Sequence, residues 1–377
     1  MWGIGALYPL LSFLFLFPAI LFSNASSKGL FTNRKYIYAF IIYLITSFYI
    51  TIVSRYNING QIVNIIHATT FLCLYTVTIQ TSQKIFDSIC KIMGWLLAIS
   101  IAAFFLHIIG FPLPNRNASF GDYSYTNYYL FMIDDRSIWD VIPRFSSYFL
   151  EPGHLGTATV MLLATQIGQW KTWYNKVLFI ATIISFSLAA YVLLVILIWL
   201  SIWLKRKKIW GKLIGISAFL TLIVIGSSYY NNGDNLLHNL IVIRMEINDN
   251  GELAGNNRTT DDFQRHFNDF LSSNDLLIGR GDEEIPTGNS GYKVFIYRYG
   301  LIGVLLTLIL YLSSYHKGTD KRAILSAFTI ALLAFIVRGY PLWDSNFLPL
   351  FVLANSCFIK LQDNDLSPKE VEVEEMA

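Results

Sequence analysis

Cysteine is nearly missing from this chain: three residues in 377, Cys73, Cys90 and Cys357, each in or beside an apolar segment. With so few, neither a disulfide framework nor a thiolate metal cluster can be read, and small apolar packing is the expected role. Charge is scarce as well. Asp, Glu, Lys and Arg make up 14% of the residues while 54% are hydrophobic, and the mean hydropathy is +0.48; an ordinary soluble domain carries about 25% charge. This balance excludes a cytosolic globular enzyme, a disordered protein and a nucleic-acid binder. The 28 Lys and Arg against 25 Asp and Glu leave a net +3, too little to demand a bulk electrostatic partner. No internal repeat stands out, and the low-complexity content is confined to an acidic tail over 362–377, read as solvated chain.

What the chain has in quantity is long apolar runs. Segments at 4–22, 36–53, 62–80, 93–111, 213–229, 294–314, 323–341 and 346–361 each approach the length of about 20 residues that a helix needs to cross the hydrocarbon core. The first has no positive residue before it and no small-residue cleavage pattern after it, so it reads as a span followed by Lys28, Arg34 and Lys35 and not as a cleaved signal. A shorter run stands at 154–169, and the run at 177–203 is long enough for a hairpin. Basic clusters at 28–35, 84–91, 171–176, 205–212 and 317–322 share one side only if 177–203 crosses twice, turning near Ser185, Phe186 and Ser187, with Leu188 opening the return helix. The expected fold is therefore all-α: a polytopic membrane bundle of about eleven spans (10–12) forming one domain over 1–377, with the C-terminal tail cytoplasmic. Two long extracytoplasmic loops follow from the same topology, at 112–153 and 230–293. Within the second, Thr259 with Asp262 resembles a capping box, and Phe263, Phe267, Phe270 and Leu271 recur at helical spacing. They predict an amphipathic helix over about 261–272, lying on the membrane surface or capping the bundle.

The basic residues divide by type. Those assigned to the cytoplasmic side are mostly Lys, whereas Arg55, Arg116, Arg136, Arg144, Arg244, Arg258, Arg265, Arg280, Arg298 and Arg338 fall outside or at the outer boundary, with Lys293 the exception. Orientation requires no such preference. Arginine presents a planar fork that bonds phosphate or carboxylate bidentately and tolerates partial burial. Two explanations stay open: a phosphate-bearing ligand at the outer face, or pairing of each Arg with an acidic neighbour, since 230–293 holds eleven acidic against five basic residues. Arg298 and Arg338 lie inside apolar helices near their outer ends, where a charge is costly and marks a candidate site unless it snorkels to the interface.

Two strings close the outer loops. Arg144-Phe-Ser-Ser-Tyr-Phe-Leu-Glu151-Pro152-Gly153-His154 runs straight into a span, with Pro152 suited to a first helical turn and Glu151 favoured by the helix dipole, either as a capping acid or as a functional carboxylate. Leu277-Ile-Gly279-Arg280-Gly281-Asp282, with Asn289, Tyr292 and Tyr297-Arg298-Tyr299-Gly300, enters a later span. Gly279 and Gly281 permit a nest whose backbone N–H groups face an oxyanion, with Arg280 displayed between them.

In this setting the two strings resemble the Wzy-type O-antigen and capsular polysaccharide polymerases, a family related to the O-antigen ligases. The likeness covers the hydropathy layout of the whole chain and, as motifs, 144–154, 258–265 and 278–303; the Ser-x-Ser turn at Ser185 and Ser187 is similar to the family's turn. Ligase-like members commonly place a His directly before the Asn of the second motif, where this chain has Gly288, which lowers the ligase reading. The resemblance implies a glycosyltransferase in the bacterial inner (plasma) membrane, with its active site facing the periplasm. It would move a growing glycan from undecaprenyl diphosphate to a sugar hydroxyl of another lipid-linked repeat unit. The expected partners are that lipid-linked oligosaccharide and the bilayer, with a chain-length regulator as a further candidate and no nucleic acid.

A diphosphate is a good leaving group that needs charge stabilisation, whereas the acceptor hydroxyl profits from a base within about 3 Å. The catalytic expectation is Glu151 as base or orienter, with Arg298 and Arg338 at the diphosphate; His154 and His266 are the other bases considered. Arg280 joins the diphosphate set. Arg144, His154, Arg258, Asn289 and Tyr292 are expected at the substrate, and Tyr123, Tyr125, Tyr128, Tyr129 and Trp139 serve either sugar stacking or an interfacial aromatic belt. No metal ligand set is visible in the sequence, so metal and cofactor independence is expected. An O-antigen ligase, a lipid-linked oligosaccharide flippase or other transporter, and a non-enzymatic scaffold are the competing readings.

Overall fold

The computed structural model of the chain describes residues 34–54, 74, 79–120, 123–135, 144–204, 209–235, 238–243, 260–281, 291–314, 320–338 and 351–354. The protein is mostly helical, and it divides into two compact units, Ser88–Thr259 and the pair of segments Met1–Asp87 and Thr260–Ala377. Nine helices of ten or more residues stand among the described residues: α1 (Arg34–Val53), α2 (Ile79–Ile108), α3 (Pro152–Thr165), α4 (Trp173–Ile184), α5 (Leu188–Leu204), α6 (Ile209–Tyr229), α7 (Asp261–Leu271), α8 (Gly291–Ser313) and α9 (Lys321–Arg338). Among the described residues, Thr81–Ile108 and Gly291–Ser313 are long and apolar enough to cross a membrane, and Ile37–Val53, Trp173–Ile184 and Leu188–Leu204 are apolar but shorter. The expected span 4–22 lies outside the described residues, as does most of 62–80 and 346–361 and all of the 362–377 tail.

In the Ser88–Thr259 unit, the apolar run at 177–203 breaks into two helices at its serines. Ser185 closes α4, Phe186 takes a left-handed φ of 47°, and Leu188 opens α5. α3 packs on this hairpin through small residues. A Cβ added at Gly156 would meet Ala190 Cβ at 2.5 Å and Ser185 Oγ at 3.0 Å, and the hydroxyls of Thr159 and Thr182 bond at 2.7 Å. Small residues let the helix backbones approach closely, and hydroxyls bonded across the contact add to the packing.

The all-α expectation leaves out one element. The first long loop holds a three-stranded antiparallel meander, β1 (Arg116–Phe120), β2 (Tyr123–Asn127) and β3 (Ile133–Asp135), in which Ala118 faces Tyr125 and Thr126 faces Asp134. Its third strand is tied to the motif that follows: the amide of Ile133 donates to Ser147 O (2.7 Å) and Ser146 Oγ to Ile133 O (2.7 Å).

In the other unit, α7 runs over Asp261–Leu271, and its N-cap is Thr260, whose hydroxyl accepts from the amide of Phe263; the cap therefore falls one residue later than the sequence pattern suggests. Its apolar face packs inside the unit. Phe263, Phe267 and Phe270 are buried against Val294 and Tyr297 of α8, flanked by Leu276 and Ile296. Each such ring removed from water contributes roughly 1.5–3 kcal/mol, enough to seat a short helix that would not persist alone.

α8 is not continuous. Gly300 has φ 60° and ψ −171°, a conformation open essentially to glycine alone, and it divides the helix into an N-terminal segment ending at Tyr299 and a longer apolar one. The chain at 277–281 repairs the gap. Arg280 N donates to Tyr297 O (2.8 Å), Gly281 N to Arg298 O (2.9 Å) and Ile302 N to Leu277 O (3.1 Å). From α1, the Tyr49 hydroxyl lies 2.7 Å from Ile278 O and 2.9 Å from Tyr299 O. The carbonyls of Tyr297, Arg298 and Tyr299 and the amide of Ile302, all beside the break, thus have partners, as burial of such groups requires.

Candidate functional site

This repair corrects the nest expected at Gly279-Arg280-Gly281. The three amides do not face an open oxyanion site, because Gly279 N donates to Asp275 O and the next two donate into α8. Glycine is required for contact instead: a Cβ at Gly279 would lie 2.2 Å from Arg298 O, and one at Gly281 would lie 2.1 Å from Val53 O.

The side chain between them is nevertheless displayed. Arg280 Nε donates to Asp275 Oδ2 at 2.9 Å, Nη1 reaches the Tyr297 hydroxyl at 3.5 Å, and the guanidinium carbon stands 5.6 Å and 5.5 Å from the ring centres of Phe270 and Tyr297. Its Nη2 makes no hydrogen bond among the described residues. The Tyr297 hydroxyl, followed by the Asp275 carboxylate, holds the guanidinium pKa above its ordinary value, so the charge is permanent. α7 therefore builds a shelf: its buried phenylalanines place the ring on which a cation rests, an arrangement that restricts the fork without neutralising all its donors.

Arg298 is half-buried in the N-terminal segment of α8, two residues before the break, with its carbonyl bonded to Gly281. Tyr292 is half-buried in the first turn of the same helix. Lys293, the lysine among the basic residues expected outside, donates to Gln264 on α7 and lies 5.6 Å from the Phe267 ring centre. Arg265 follows the local-pairing alternative, bonded to Asp262 at 3.3 Å with its side chain 77% exposed. His266, considered as a base, is exposed beside Asp262, its Nδ1 2.9 Å from Asp262 O. Arg338 is the last residue of α9, its side chain outside the described residues; Arg55, Arg136, Arg244, Arg258, Asn289 and Trp139 lie outside them too.

In the Ser88–Thr259 unit the string from Arg144 to His154 is a clamp. Arg144 Nη2 donates to Phe186 O at 3.1 Å and Phe145 N to Ile184 O at 3.2 Å, which ties one end to the helical hairpin; Ser146 and Ser147 tie the next residues to the meander. Ser147 adopts a left-handed φ of 53° and is fully buried, and Phe186 supplies its carbonyl from the same strained region. Tyr148 donates to Met93 Sδ, and burial pushes its phenol far above the usual tyrosine range.

Glu151 is the N-cap residue of α3 and Pro152 its first helical residue, yet the Glu151 side chain makes no capping hydrogen bond. It is half-exposed and faces His154, with Oε2 3.8 Å from Nε2. The carboxylate is thus not used up by the helix end, and acid and imidazole form an i,i+3 pair on the rim of α3.

Phe104, His107, Met132, Ile133, Asp134, Arg144, Phe145 and Ser146 line a small recess of about 10 Å³, room for a single water and far below the roughly 300–1,000 Å³ of sites that engulf a drug-sized ligand. His107 and Asp134 carry no motif that a sequence reading could have used; they reach Arg144 only through the fold. Of the loop aromatics expected to stack on sugars, Tyr125 and Tyr128 are buried (6% and 8% exposed) in the meander, and Tyr129 is open at 57%. Arg116 lies exposed at the start of β1. Among the described residues, no three His, Cys, Asp or Glu side chains cluster as a metal site.

Comparison with protein-family models, with curated proteins and with solved structures finds no match for this chain.

Proposed function

We propose that the chain is a polytopic inner-membrane protein of about eleven spans that polymerises surface polysaccharide, moving a growing glycan from a polyprenyl diphosphate to a sugar hydroxyl of another lipid-linked repeat unit on the extracytoplasmic side. The observation that carries this reading is Arg280 on its shelf of Phe270 and Tyr297, joined through the backbone to the segment of helix α8 that bears Arg298. Fixed guanidinium groups stabilise the charge that builds on a departing diphosphate, and they do so best where few waters compete. Arg298 and Arg338 complete that set. Arg144 and His154 serve the sugars together with Arg258, Asn289 and Tyr292, and Glu151 serves as base or orients an arginine.

The broken helix α8 favours a second reading, a lipid-linked oligosaccharide flippase, because transporters use interrupted helices at their substrate sites. One deletion separates the alternatives. Removal of the gene and electrophoresis of the surface polysaccharide gives single attached repeats without a ladder for a polymerase, no attached repeats for a ligase, and lipid-linked units trapped on the inner leaflet for a flippase. An unchanged ladder overturns all three.

A further inference from the structure

We propose that the first long loop re-enters the membrane: the tight turn at 128–132, between β2 and β3, lies beside the middle of the apolar run of α2 and presents Tyr129 and Leu130 to the acyl chains of the extracytoplasmic leaflet. This rests on the membrane-spanning part of the polymerase reading, and it concerns the lipid partner of the loop within the Ser88–Thr259 unit.

The depth follows from α2. Its last Asp, Glu, Lys or Arg is Lys91, and from Ile92 to Ile108 the helix runs about 25 Å without another, within the roughly 30 Å of a hydrocarbon core. Just past the helix end, Ile109 and Phe111 are 75% and 56% exposed, so apolar surface continues at least that far. Ser100 stands at the middle of this run, and its hydroxyl donates to Phe131 O at 2.8 Å. The turn is therefore held about 12 Å short of the end of α2. Near that end the His107 ring meets Tyr128, with centroids 4.8 Å apart, so the chain descends about two helical turns between Tyr128 and Phe131.

Two features of the turn suit an apolar phase. Its backbone is bonded within the unit: Tyr128 N donates to Met132 O, Tyr129 N to Asn127 Oδ1 and Leu130 N to Tyr128 O, while Phe131 O accepts from Ser147 Oγ as well as from Ser100. Irregular backbone is admitted at membrane depth only where the protein satisfies its polar groups in this way. Its residues are also not those of a solvated turn. Tyr129 and Phe131 take left-handed φ of 59° and 57°, which Gly, Asn or Asp would adopt with less strain, yet the sequence is Tyr-Tyr-Leu-Phe-Met. By contrast β1 exposes Arg116, Asn117 and Ser119, and Arg116 pairs with Asn127, the residue just before the turn. The polar edge of the meander thus lies at the headgroups, and the turn hangs from it into the hydrocarbon.

The test uses the full chain with Cys73, Cys90 and Cys357 replaced by Ala, in vesicles of phosphatidylcholine and phosphatidylglycerol, carrying one nitroxide at a time. Labels at Leu130→Cys and Tyr129→Cys are compared with labels at Ile99→Cys on α2 and Asn117→Cys on β1, and power saturation in oxygen and in a nickel chelate reads the depth of each. The Leu130 label is expected to favour oxygen as the Ile99 label does and to lie about 10 Å deeper than the Asn117 label, which favours the chelate. The Tyr129 label should show the same preference at a shallower depth, so the comparison stands on that position if Leu130→Cys fails to fold. Leu130 and Tyr129 labels that favour the chelate, or that neither reagent reaches, overturn the proposal while Ile99 favours oxygen. An Ile99 label that favours the chelate places α2 itself in water and overturns the membrane reading, a distinct outcome.

Discussion

Gly279 lies directly against the carbonyl of Arg298, so closely that a methyl group added to it would stand 2.2 Å from that oxygen. Together with a φ of +90°, this makes the position intolerant of any side chain. Gly279→Ala should destabilise its unit by about 1–3 kcal/mol from the backbone conformation alone, with the clash added to that. Thermal unfolding in detergent, followed by tryptophan fluorescence, should show a Tm several degrees below wild type and lost polymer. An unchanged Tm would mean that the loop does not dock on α8.

Tyr49 tests the same junction from α1. Its single hydroxyl proton is shared between two carbonyls, and Tyr49→Phe removes that donor at a cost of about 1–3 kcal/mol. Hydrogen exchange should quicken selectively at the amides of Arg280 and Gly281. Uniform exchange in mutant and wild type would contradict the arrangement.

The two arginines at α7 should respond differently to lysine. Arg265 is solvated and paired locally, so Arg265→Lys should leave stability within about 0.5 kcal/mol and the ladder intact. Arg280→Lys loses the fork that reaches Asp275 and Tyr297 at once, and polymer should fall at least tenfold with membrane insertion retained. Because the Arg280 pKa is raised, any stabilisation from its charge is present throughout the neutral range and is lost only as pH rises past that elevated value; the variant's effect should be flat between about pH 6 and 9. Equal ladders from the two variants would remove Arg280 from the site.

Gly156 is the contact point of α3 with the hairpin. Gly156→Val would force its Cβ onto Ala190, and such overpacking typically costs about 1–3 kcal/mol. Paired Cys substitutions on α3 and α5 should crosslink less readily in the variant; undiminished crosslinking would place the helices farther apart.

The sequence was most legible where signals are local. Ser185, Phe186 and Ser187 interrupt an apolar run, and the chain turns there; Phe263, Phe267 and Phe270 repeat with helical period, and a helix forms with that face buried. The shift of the cap from Thr259 to Thr260 reflects two adjacent hydroxyl residues of similar capping strength. The meander is weakly marked because β1 and β2 are five residues each, so that the Tyr-Ser-Tyr-Thr alternation of β2 is too short to stand out from a polar loop. Gly279 and Gly281 were readable as special but not as to why, because their partner is the backbone of a helix that opens only at Gly300, a relationship no local pattern encodes. His107 and Asp134 were silent for the same reason.

The interruption at Gly300 also bears on how the protein is made. A helix that entered an apolar phase with the Tyr297, Arg298 and Tyr299 carbonyls bare would face several kcal/mol of opposition for each. The chain that covers two of them, residues 280–281, leaves the ribosome about a dozen and a half residues earlier, and Tyr49 earlier still. Synthesis therefore delivers the covering strand before the helix it must cover, so that a translational pause between them would cost little, while a circular permutant that reverses their order would leave the helix bare as it forms.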